Sequence, residues 1–217
     1  MSEHAYSDAD RAAVYRAIFE RRDMRHFLPT PIAPDLLNRL LTAAHHAPSV
    51  GFMQPWRFIR ITCPEKRKAI HALVEQERIQ TAKALKERED EFMRIKVEGI
   101  LDCAEVLVAA LCDRREQHIF GRRTLPEMDL ASLACAIQNM WLAARAEGVG
   151  LGWVSLFEPE AVKTHLQMPA GSKPVAILCL GHVAEFYSQP LLEQQGWATR
   201  QAIDTLVFEN SWDKPCY

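Results

Sequence analysis

The chain has 217 residues, of which 48% are hydrophobic and 25% are charged. These proportions are typical of globular proteins and exclude a disordered, collagen-like or coiled-coil chain. The 26 basic and 28 acidic residues give a net charge of −2, which leaves no overall field for nucleic acid or an anionic membrane. We therefore predict one globular domain, residues 1–217, that binds neither nucleic acid nor membrane.

The cysteines and the first residues indicate a cytoplasmic protein. No C-x-x-C pair occurs, and most of the six cysteines lie in apolar runs, so we expect reduced thiols in the core. They are Cys63, Cys103, Cys112, Cys135, Cys179 and Cys216. The first residues lack the apolar segment of a secretory signal. No run reaches the about 18 apolar residues of a transmembrane helix.

The first half of the chain predicts two helices, a strand and a charged helical segment. Apolar residues recur at helical spacing over 7–20 and 35–46, with prolines between them. Residues 57–62 alternate charged and apolar residues, as a short strand does. Residues 64–99 are rich in charge and favour helix, so we expect one long or two consecutive helices, partly off the core, that form a lid.

The second half predicts three more strands around the most apolar helix of the chain. Residues 130–144 hold twelve apolar residues in fifteen, so this helix must be central or lie in a subunit interface. The other expected elements are a polar loop at 114–125, a short helix at 159–166, a weak helix at 201–208 and strands at 104–112, 150–156 and 173–180. Four strands separated by helices indicate a three-layer α/β or α+β sandwich. The tail, 182–217, is expected to be an extension that wraps the other subunit.

The first candidate motif, residues 21–25, places Arg21, Arg22, Asp23, Met24 and Arg25 at the end of a helix. Arginines there can simply satisfy the last carbonyl groups of the helix and its dipole. Alternatively, the guanidinium groups grip a phosphate while the carboxylate reaches a hydroxyl group or ring nitrogen of the same ligand. The neighbouring positive charge predicts that the carboxylate is ionised at pH 7.

The second candidate motif is the connection APSVGFMQPW at 47–56. Turn chemistry alone explains its prolines and Gly51. Phe52 and Trp56, together with Ser49 and Gln54, suit a site where flat rings and a few polar groups meet an aromatic ligand.

The third candidate motif is GVGLGWVS at 148–155. Its glycines precede a strand at G-x-G-x-G spacing, so the dinucleotide-binding fingerprint is rejected. The end of a helix followed by a tightly packed strand explains the glycines, and Ser155 is the candidate for chemistry.

Other patterns favour structural roles. His45 and His46 are adjacent and point in different directions, so we predict no metal site. Arg122 and Arg123 are expected in a solvated loop. The chain contains no G-x-S-x-G, Walker or H-E-x-x-H sequence, which disfavours hydrolase, nucleotidase and metallopeptidase functions.

The three motifs resemble, in order, those of the nitroreductase superfamily of FMN-binding α+β homodimers. Its pattern is R-R-[ST]-x-R, then A-P-S-x-x-N-x-Q-P-W, then G-x-G-x-x-W. Asp23 replaces the usual hydroxyl residue and Phe52 the usual amide. With VGLGWVSLF, QNMWLAARAEGVG and GWATR, these departures resemble a flavin-fragmenting branch of the superfamily, over residues 11–212.

The resemblance implies a domain-swapped homodimer with a nitroreductase-like three-layer α/β/α fold. It also implies that reduced FMN is the substrate and O₂ the co-substrate, with 5,6-dimethylbenzimidazole, the lower ligand of vitamin B12, and erythrose 4-phosphate as products. A separate NAD(P)H-dependent flavin reductase is the expected partner, and no metal is required.

The resemblance also implies roles for single residues. Arg21, Arg25 and Arg200 would hold the phosphate, and Arg22 and Met24 would line the ribityl chain and ring. The partner subunit would contribute Pro48, Ser49 and Gly51, and Leu156 would contact the flavin beside Ser155. Asp23 suits a general base because breaking a carbon–carbon bond of the ribityl chain requires proton removal from a hydroxyl group. Ser155 can donate a hydrogen bond to the flavin.

Two other functions remain open. An NAD(P)H-dependent FMN nitro or quinone reductase needs an open cleft, whereas Phe52 and the long lid favour a closed one. In a non-catalytic flavin-binding protein the arginines would only bind FMN for storage. A carboxylate such as Asp23 does not help to bind a phosphate, which disfavours this function.

Overall fold

A computed structural model describes residues 4–215, which contain seven α-helices and four strands. The helices are α1 (Asp8–Glu20), α2 (Pro34–His45), α3 (Pro64–Ala84), α4 (Glu89–Arg94), α5 (Met128–Ala146), α6 (Pro159–His165) and α7 (Leu191–Gln194). The strands are β1 (Trp56–Arg60), β2 (Glu105–Leu111), β3 (Gly150–Val154) and β4 (Lys173–Gly181). The chain divides into two compact units, Met1–Phe186 and Tyr187–Tyr217. The prediction of one domain with an extension therefore stays a prediction.

The four strands form one antiparallel sheet in the order β1-β2-β4-β3. Trp56 of β1 lies opposite Leu111 of β2, and Leu151 of β3 lies opposite Leu180 of β4. Every residue of β2 is buried, as expected for a strand whose two faces are both covered.

Helices cover both faces of the sheet. On one face, α2 and α5 bury Leu40 and Met140 against the sheet. On the other, α3 and α6 bury Ile70 and Val162. The three-layer sandwich predicted from the sequence is therefore confirmed.

Helix α5 passes through the centre of the first layer and ends in a Schellman motif. Gly148 has a φ of +73°, and the Val149 N–H donates to the Ala144 carbonyl at 2.8 Å. The opposite side of α5 is open on this chain, with Cys135 and Gln138 exposed. Helix α1 buries none of its residues. These two helices leave apolar surface uncovered within one chain.

The segment at 64–99 forms two helices, and its first part belongs to the core. Ile70 and Val74 of α3 are fully buried, so this part of the helix is a layer of the fold. The Arg78 guanidinium donates to the carbonyl groups of Met93 at 2.7 Å and Ile95 at 3.2 Å, which ties the end of α4 to α3. Only the part after Val74 can serve as a lid, and that role stays a prediction.

The loop at 114–125 is more ordered than predicted. The Asp129 carboxylate accepts from Arg115 at 2.8 Å and Arg122 at 2.9 Å, and Arg122 is only 8% exposed. The expectation that Arg122 is solvated is wrong, because an ion pair at the start of α5 compensates for its burial. Arg123 is exposed, as predicted.

The second unit differs from the sequence prediction. The weak helix at 201–208 is wrong: only a 3₁₀ turn, Ile203–Thr205, forms there. The β-branched side chains of Ile203, Thr205 and Val207 disfavour a longer helix. Helix α7 follows Pro190 and was not predicted.

The described cysteines are free thiols, but they are not all in the core. Cys103 and Cys179 are buried as predicted, whereas Cys135 is exposed on α5. Cys216 lies outside the described residues. Within residues 4–215, no helix is both long and apolar enough to span a membrane.

Candidate functional site

The segment after α1 runs along the open edge of β3. Asp23 forms a parallel bridge with Leu151, and the Met24 N–H donates to the Leu151 carbonyl at 3.0 Å. Further along β3, at Trp153, the main chain of the strand is hydrogen-bonded by side chains of the segment and not by its backbone. The Trp153 N–H donates to the Asp23 carboxylate at 2.9 Å, and the Trp153 carbonyl accepts from Arg25 at 2.9 Å. The edge of the sheet thus fixes Asp23 and Arg25.

The glycines of β3 allow this close approach. A Cβ on Gly152 would come within 3.0 Å of the Met24 carbonyl oxygen, and one on Gly150 within 3.0 Å of the Val183 side chain. The tight packing inferred from the sequence is therefore confirmed. Met24 as a whole residue is only 1% exposed, so within one chain it offers almost no surface to a ligand.

The Asp23 carboxylate forms a two-fold ion pair with Arg25. Its oxygens accept from the two terminal nitrogens of Arg25 at 2.5 and 2.7 Å. The Arg25 side chain is 11% exposed and that of Asp23 is 40% exposed, so the carboxylate is the accessible partner. Burial raises the pKa of Asp23 above its ordinary value, although Arg25, the Trp153 N–H and Arg21 act in the opposite direction. Burial outweighs these groups in setting the direction of the shift, and the prediction that Asp23 is ionised at pH 7 stays a prediction.

Trp141 of α5 holds the first two arginines of the segment. The guanidinium carbon of Arg21 lies 4.3 Å from the centre of the Trp141 ring, a cation–π contact. The Trp141 indole N–H donates to the Arg22 carbonyl at 3.1 Å. Arg22 itself donates to the Phe19 carbonyl at 2.7 Å, which fits the helix-end role considered for it. Trp141 was not among the predicted site residues, although it lies in the motif QNMW.

Ser155 directly follows β3, two residues and about 7 Å of extended chain beyond Trp153. It is exposed, and within residues 4–215 no protein group accepts a hydrogen bond from its hydroxyl group. A purely structural role for this hydroxyl therefore has no support in the described contacts. Leu156 is half-buried and packs against the apolar cluster that contains Ile70 and Val162.

The loop at 48–54 has an unusual backbone. Gly51, Phe52 and Gln54 all have φ values near +50°, and such strain is concentrated at ligand sites in many proteins. The Ser49 hydroxyl accepts from the Gln54 N–H at 3.0 Å, and Phe52 is 83% exposed.

One chain does not bring this loop to the arginine segment. The Val50 N–H donates to Ser132 at the start of α5, whereas Arg22 contacts Trp141 near its end. Nine residues of helix separate Ser132 and Trp141 by about 14 Å and turn them to opposite sides. Pro48, Ser49 and Gly51 therefore lie away from the segment at 21–25 within the chain.

Arg200 belongs to the second unit. It is exposed and lines a cavity of about 750 Å³ within that unit. Its contact with a phosphate stays a prediction.

One cluster of potential metal ligands joins α3 to the segment that follows α4. His71, Glu75 and Glu98 have ligand atoms within 4.8 Å of one another. Glu75 already pairs with Arg78 at 3.4 Å, and Glu98 accepts from the Ile100 N–H. These partners explain the cluster, so we assign no metal to it.

Comparison with known proteins identifies the family. Residues 18–182 match the sequence profile described as the Nitroreductase family. The chain is 41% identical over 191 residues to 5,6-dimethylbenzimidazole synthase of Rhodospirillum rubrum, covering 85% of this chain and 89% of that one. It is 38% identical over 196 residues to the protein of the same name from Rhodobacter capsulatus, covering 88% and 94%.

Solved structures show the same fold. The NADPH:FMN oxidoreductase of Vibrio harveyi, complexed with NAD⁺, superposes with a TM-score of 0.69 at 20% identity, over 93% of this chain and 79% of that one. The chain belongs to the nitroreductase family. The resemblance and the nitroreductase-like α+β fold predicted from the sequence are confirmed.

Gly152→Ala tests whether close packing on β3 fixes the segment at 21–25. The new Cβ would collide with the Met24 backbone, and overpacking of this kind costs typically 1–3 kcal/mol. We expect a lower melting temperature for Gly152→Ala, measured by thermal unfolding. Gly148→Ala is the matched control: nothing lies within 4 Å of a Cβ built there, so only its positive φ matters and its melting temperature should fall less. Wild-type stability in Gly152→Ala would contradict the packing argument.

Proposed function

We propose that this protein fragments reduced FMN in the presence of O₂ to 5,6-dimethylbenzimidazole and erythrose 4-phosphate. The observation that carries the proposal is the accessible carboxylate of Asp23, held by Arg25 and β3 where the family pattern has a hydroxyl residue. The names of the relatives, at 41% and 38% identity over most of the chain, support it.

The side chains around Asp23 fit the proposed substrate. Arg21 offers positive charge for the phosphate, Asp23 accepts from ribityl hydroxyl groups, and the free Ser155 hydroxyl can donate to the ring. Bound reduced FMN supplies the electrons for O₂ and the ribityl chain that is cut. These groups of one chain therefore match a ligand with a phosphate, hydroxyl groups and a polar ring.

Asp23 acts as the general base in this proposal. Its raised pKa makes the carboxylate a stronger base than an ordinary aspartate, and Arg25 favours its charged form. A hydroxyl residue at this position could not remove a proton at neutral pH. Ser155 donates a hydrogen bond that stabilises negative charge developing on the flavin.

The proposed active form is a homodimer, because one chain lacks part of the site. The loop holding Pro48, Ser49 and Gly51 lies at the opposite end and side of α5 from Arg22. Two antiparallel copies of α5 would bring the loop of one subunit towards the arginine segment of the other. The exposed apolar residues of α1 support such an interface; they are Val14, Tyr15, Ile18 and Phe19.

The proposal also covers the supply of reduced FMN, the closure of the site and the role of Arg200. The reaction needs FMN in its reduced form, so a separate NAD(P)H-dependent flavin reductase in the cytoplasm would supply it. The second half of α3 and α4 would close over the site and exclude water. Arg200 would add a second charge for the phosphate.

The reaction is tested by reducing FMN bound to the purified protein without O₂ and then admitting air. Mass spectrometry should detect dimethylbenzimidazole in step with the loss of FMN. Steady oxidation of NAD(P)H with retention of FMN would instead identify a reductase. Intact FMN without oxidation of NAD(P)H would identify a flavin-binding protein.

The homodimer is tested by Cys135→Arg. Cys135 is exposed on the outer side of α5, so an arginine there would place like charges close together across a two-fold interface. We expect a dimer for the wild type and a monomer with weak FMN binding for the variant, measured by sedimentation and fluorescence. Ala72→Arg, on an exposed face of α3, should stay dimeric. A wild-type protein with the mass of one chain at micromolar concentration would exclude this interface.

Substitution of Arg21 should affect FMN binding, whereas substitution of Asp23 should affect product formation. Arg21→Ala removes a charged contact to phosphate and should weaken FMN binding about 10- to 150-fold, from roughly 1.5–3 kcal/mol. Asp23→Asn should bind FMN nearly as the wild type does, but form almost no product because an amide cannot accept the proton. Titration of FMN and product analysis after one turnover measure the two steps. Equal loss of binding in both variants, with normal turnover of the bound flavin, would refute this division.

Ser155→Ala should leave the fold and FMN affinity nearly unchanged. Loss of one fixed donor should lower the rate of product formation on the order of 10²–10³-fold. We expect the reduced flavin to return to FMN with release of peroxide, followed by rapid-mixing absorbance. An unchanged yield of dimethylbenzimidazole, or only a loss of thermal stability, would assign Ser155 a structural role.

A further inference from the structure

We propose that Arg25 is a positioning residue that fixes and charges the Asp23 carboxylate, and that it is not a ligand of the flavin phosphate. The proposal deepens the role given to Asp23 under the proposed function and rests on it. It also replaces the phosphate contact that the family resemblance implied for Arg25.

The contacts of Arg25 carry this assignment. One terminal nitrogen donates to Asp23 at 2.5 Å and to the Met24 carbonyl at 3.2 Å. The other donates to the second Asp23 oxygen at 2.7 Å and to the Trp153 carbonyl at 2.9 Å. The planar fork of arginine matches a carboxylate in this geometry, and both of its tips are engaged.

Arg21 and Arg25 differ in the groups that they contact. The Arg25 side chain is only 11% exposed, beneath the carboxylate that it holds. To reach a phosphate, Arg25 would have to leave Asp23, and the Trp153 carbonyl would lose its donor. Arg21 instead lies with its guanidinium carbon 4.3 Å from the centre of the Trp141 ring, a cation–π contact. The contacts of Arg25 therefore assign it to the carboxylate, and the phosphate contact is left to Arg21.

The effect of Arg25 on Asp23 can be measured through the pKa of Asp23. Burial raises the pKa of Asp23, and Arg25 is the strongest group opposing that rise, ahead of the Trp153 N–H and Arg21. On β4, a hydrogen bond with Cys103 and then burial keep the pKa of Cys179 well above its ordinary value, so this thiol near Arg25 is neutral. Removal of Arg25 should therefore raise the pKa of Asp23 further.

The first experiment follows the side-chain carboxyl carbons of ¹³C-labelled aspartate by NMR in the full-length protein without FMN, with Asp23→Asn identifying the signal. We expect its titration to move to higher pH in Arg25→Gln. In Arg25→Lys the shift should be smaller, because an ammonium group keeps the charge but not the fork. Arg21→Gln, the matched control, should move it least. An unmoved Asp23 titration in both folded Arg25 variants would overturn the proposal.

The second experiment titrates the same variants with FMN. Arg25→Lys and Arg25→Gln should bind FMN within about threefold of the wild type, whereas Arg21→Gln should lose about 10-fold or more, as expected for loss of a charged contact. A loss of 10-fold or more in Arg25→Lys would identify Arg25 as a phosphate ligand and refute the proposal. Neither experiment requires product formation, so both remain decisive if the proposed reaction is wrong.

The pH dependence of product formation adds a third readout. The base must be deprotonated, so activity should be lost as the pH falls through the pKa of Asp23. A higher pKa in Arg25→Gln should shift this acid limb to higher pH, with partial return in Arg25→Lys. A uniform loss of activity at all pH values, with the limb unmoved, would contradict control of Asp23 by Arg25.

Discussion

The main-chain groups of Trp153 are the constraint on which the site depends. They lie on the outer edge of β3, where an unpaired N–H and carbonyl are costly unless they find partners. Asp23 accepts from the N–H and Arg25 donates to the carbonyl, so the sheet itself orients both side chains. The absence of a side chain at Gly152 lets the segment approach closely enough for these bonds. The sheet thereby holds the Asp23 carboxylate in a more fixed position than a loop would.

Replacement of the family's hydroxyl residue by Asp23 changes what the position can do. A hydroxyl group can donate a hydrogen bond to a bound flavin, whereas an ionised carboxylate only accepts hydrogen bonds and protons. A partly buried carboxylate must also be compensated, and Arg25, whose side chain is the more buried of the two, supplies the charge. Asp23 and Arg25 are thus best understood as one unit. A nitro or quinone reductase, which passes electrons through the flavin, has no need of it.

Periodicity and turn residues predicted the four strands, the main helices and the motif at 21–25, because these follow from local sequence. The features that could not be predicted from the sequence depend on tertiary contacts. Trp141 lies in an apolar helix and looks like an ordinary core residue, since its cation–π contact with Arg21 appears only when α1 and α5 meet. The sign of the pKa change at Asp23 depends on burial, which adjacent arginines do not reveal. Composition also could not separate an arginine bound to phosphate from one bound to a carboxylate.

Helix α1 leads directly into the arginine segment, yet none of its residues is buried within the chain. A helix of 13 residues is marginal in water by itself, so its order depends on whatever covers its apolar side. If a second copy covers it, subunit association and flavin affinity are linked by mass action. Each subunit would then hold the flavin more tightly as the protein becomes more concentrated. The cell could therefore set the occupancy of the site through the amount of protein it makes, without any dedicated regulator.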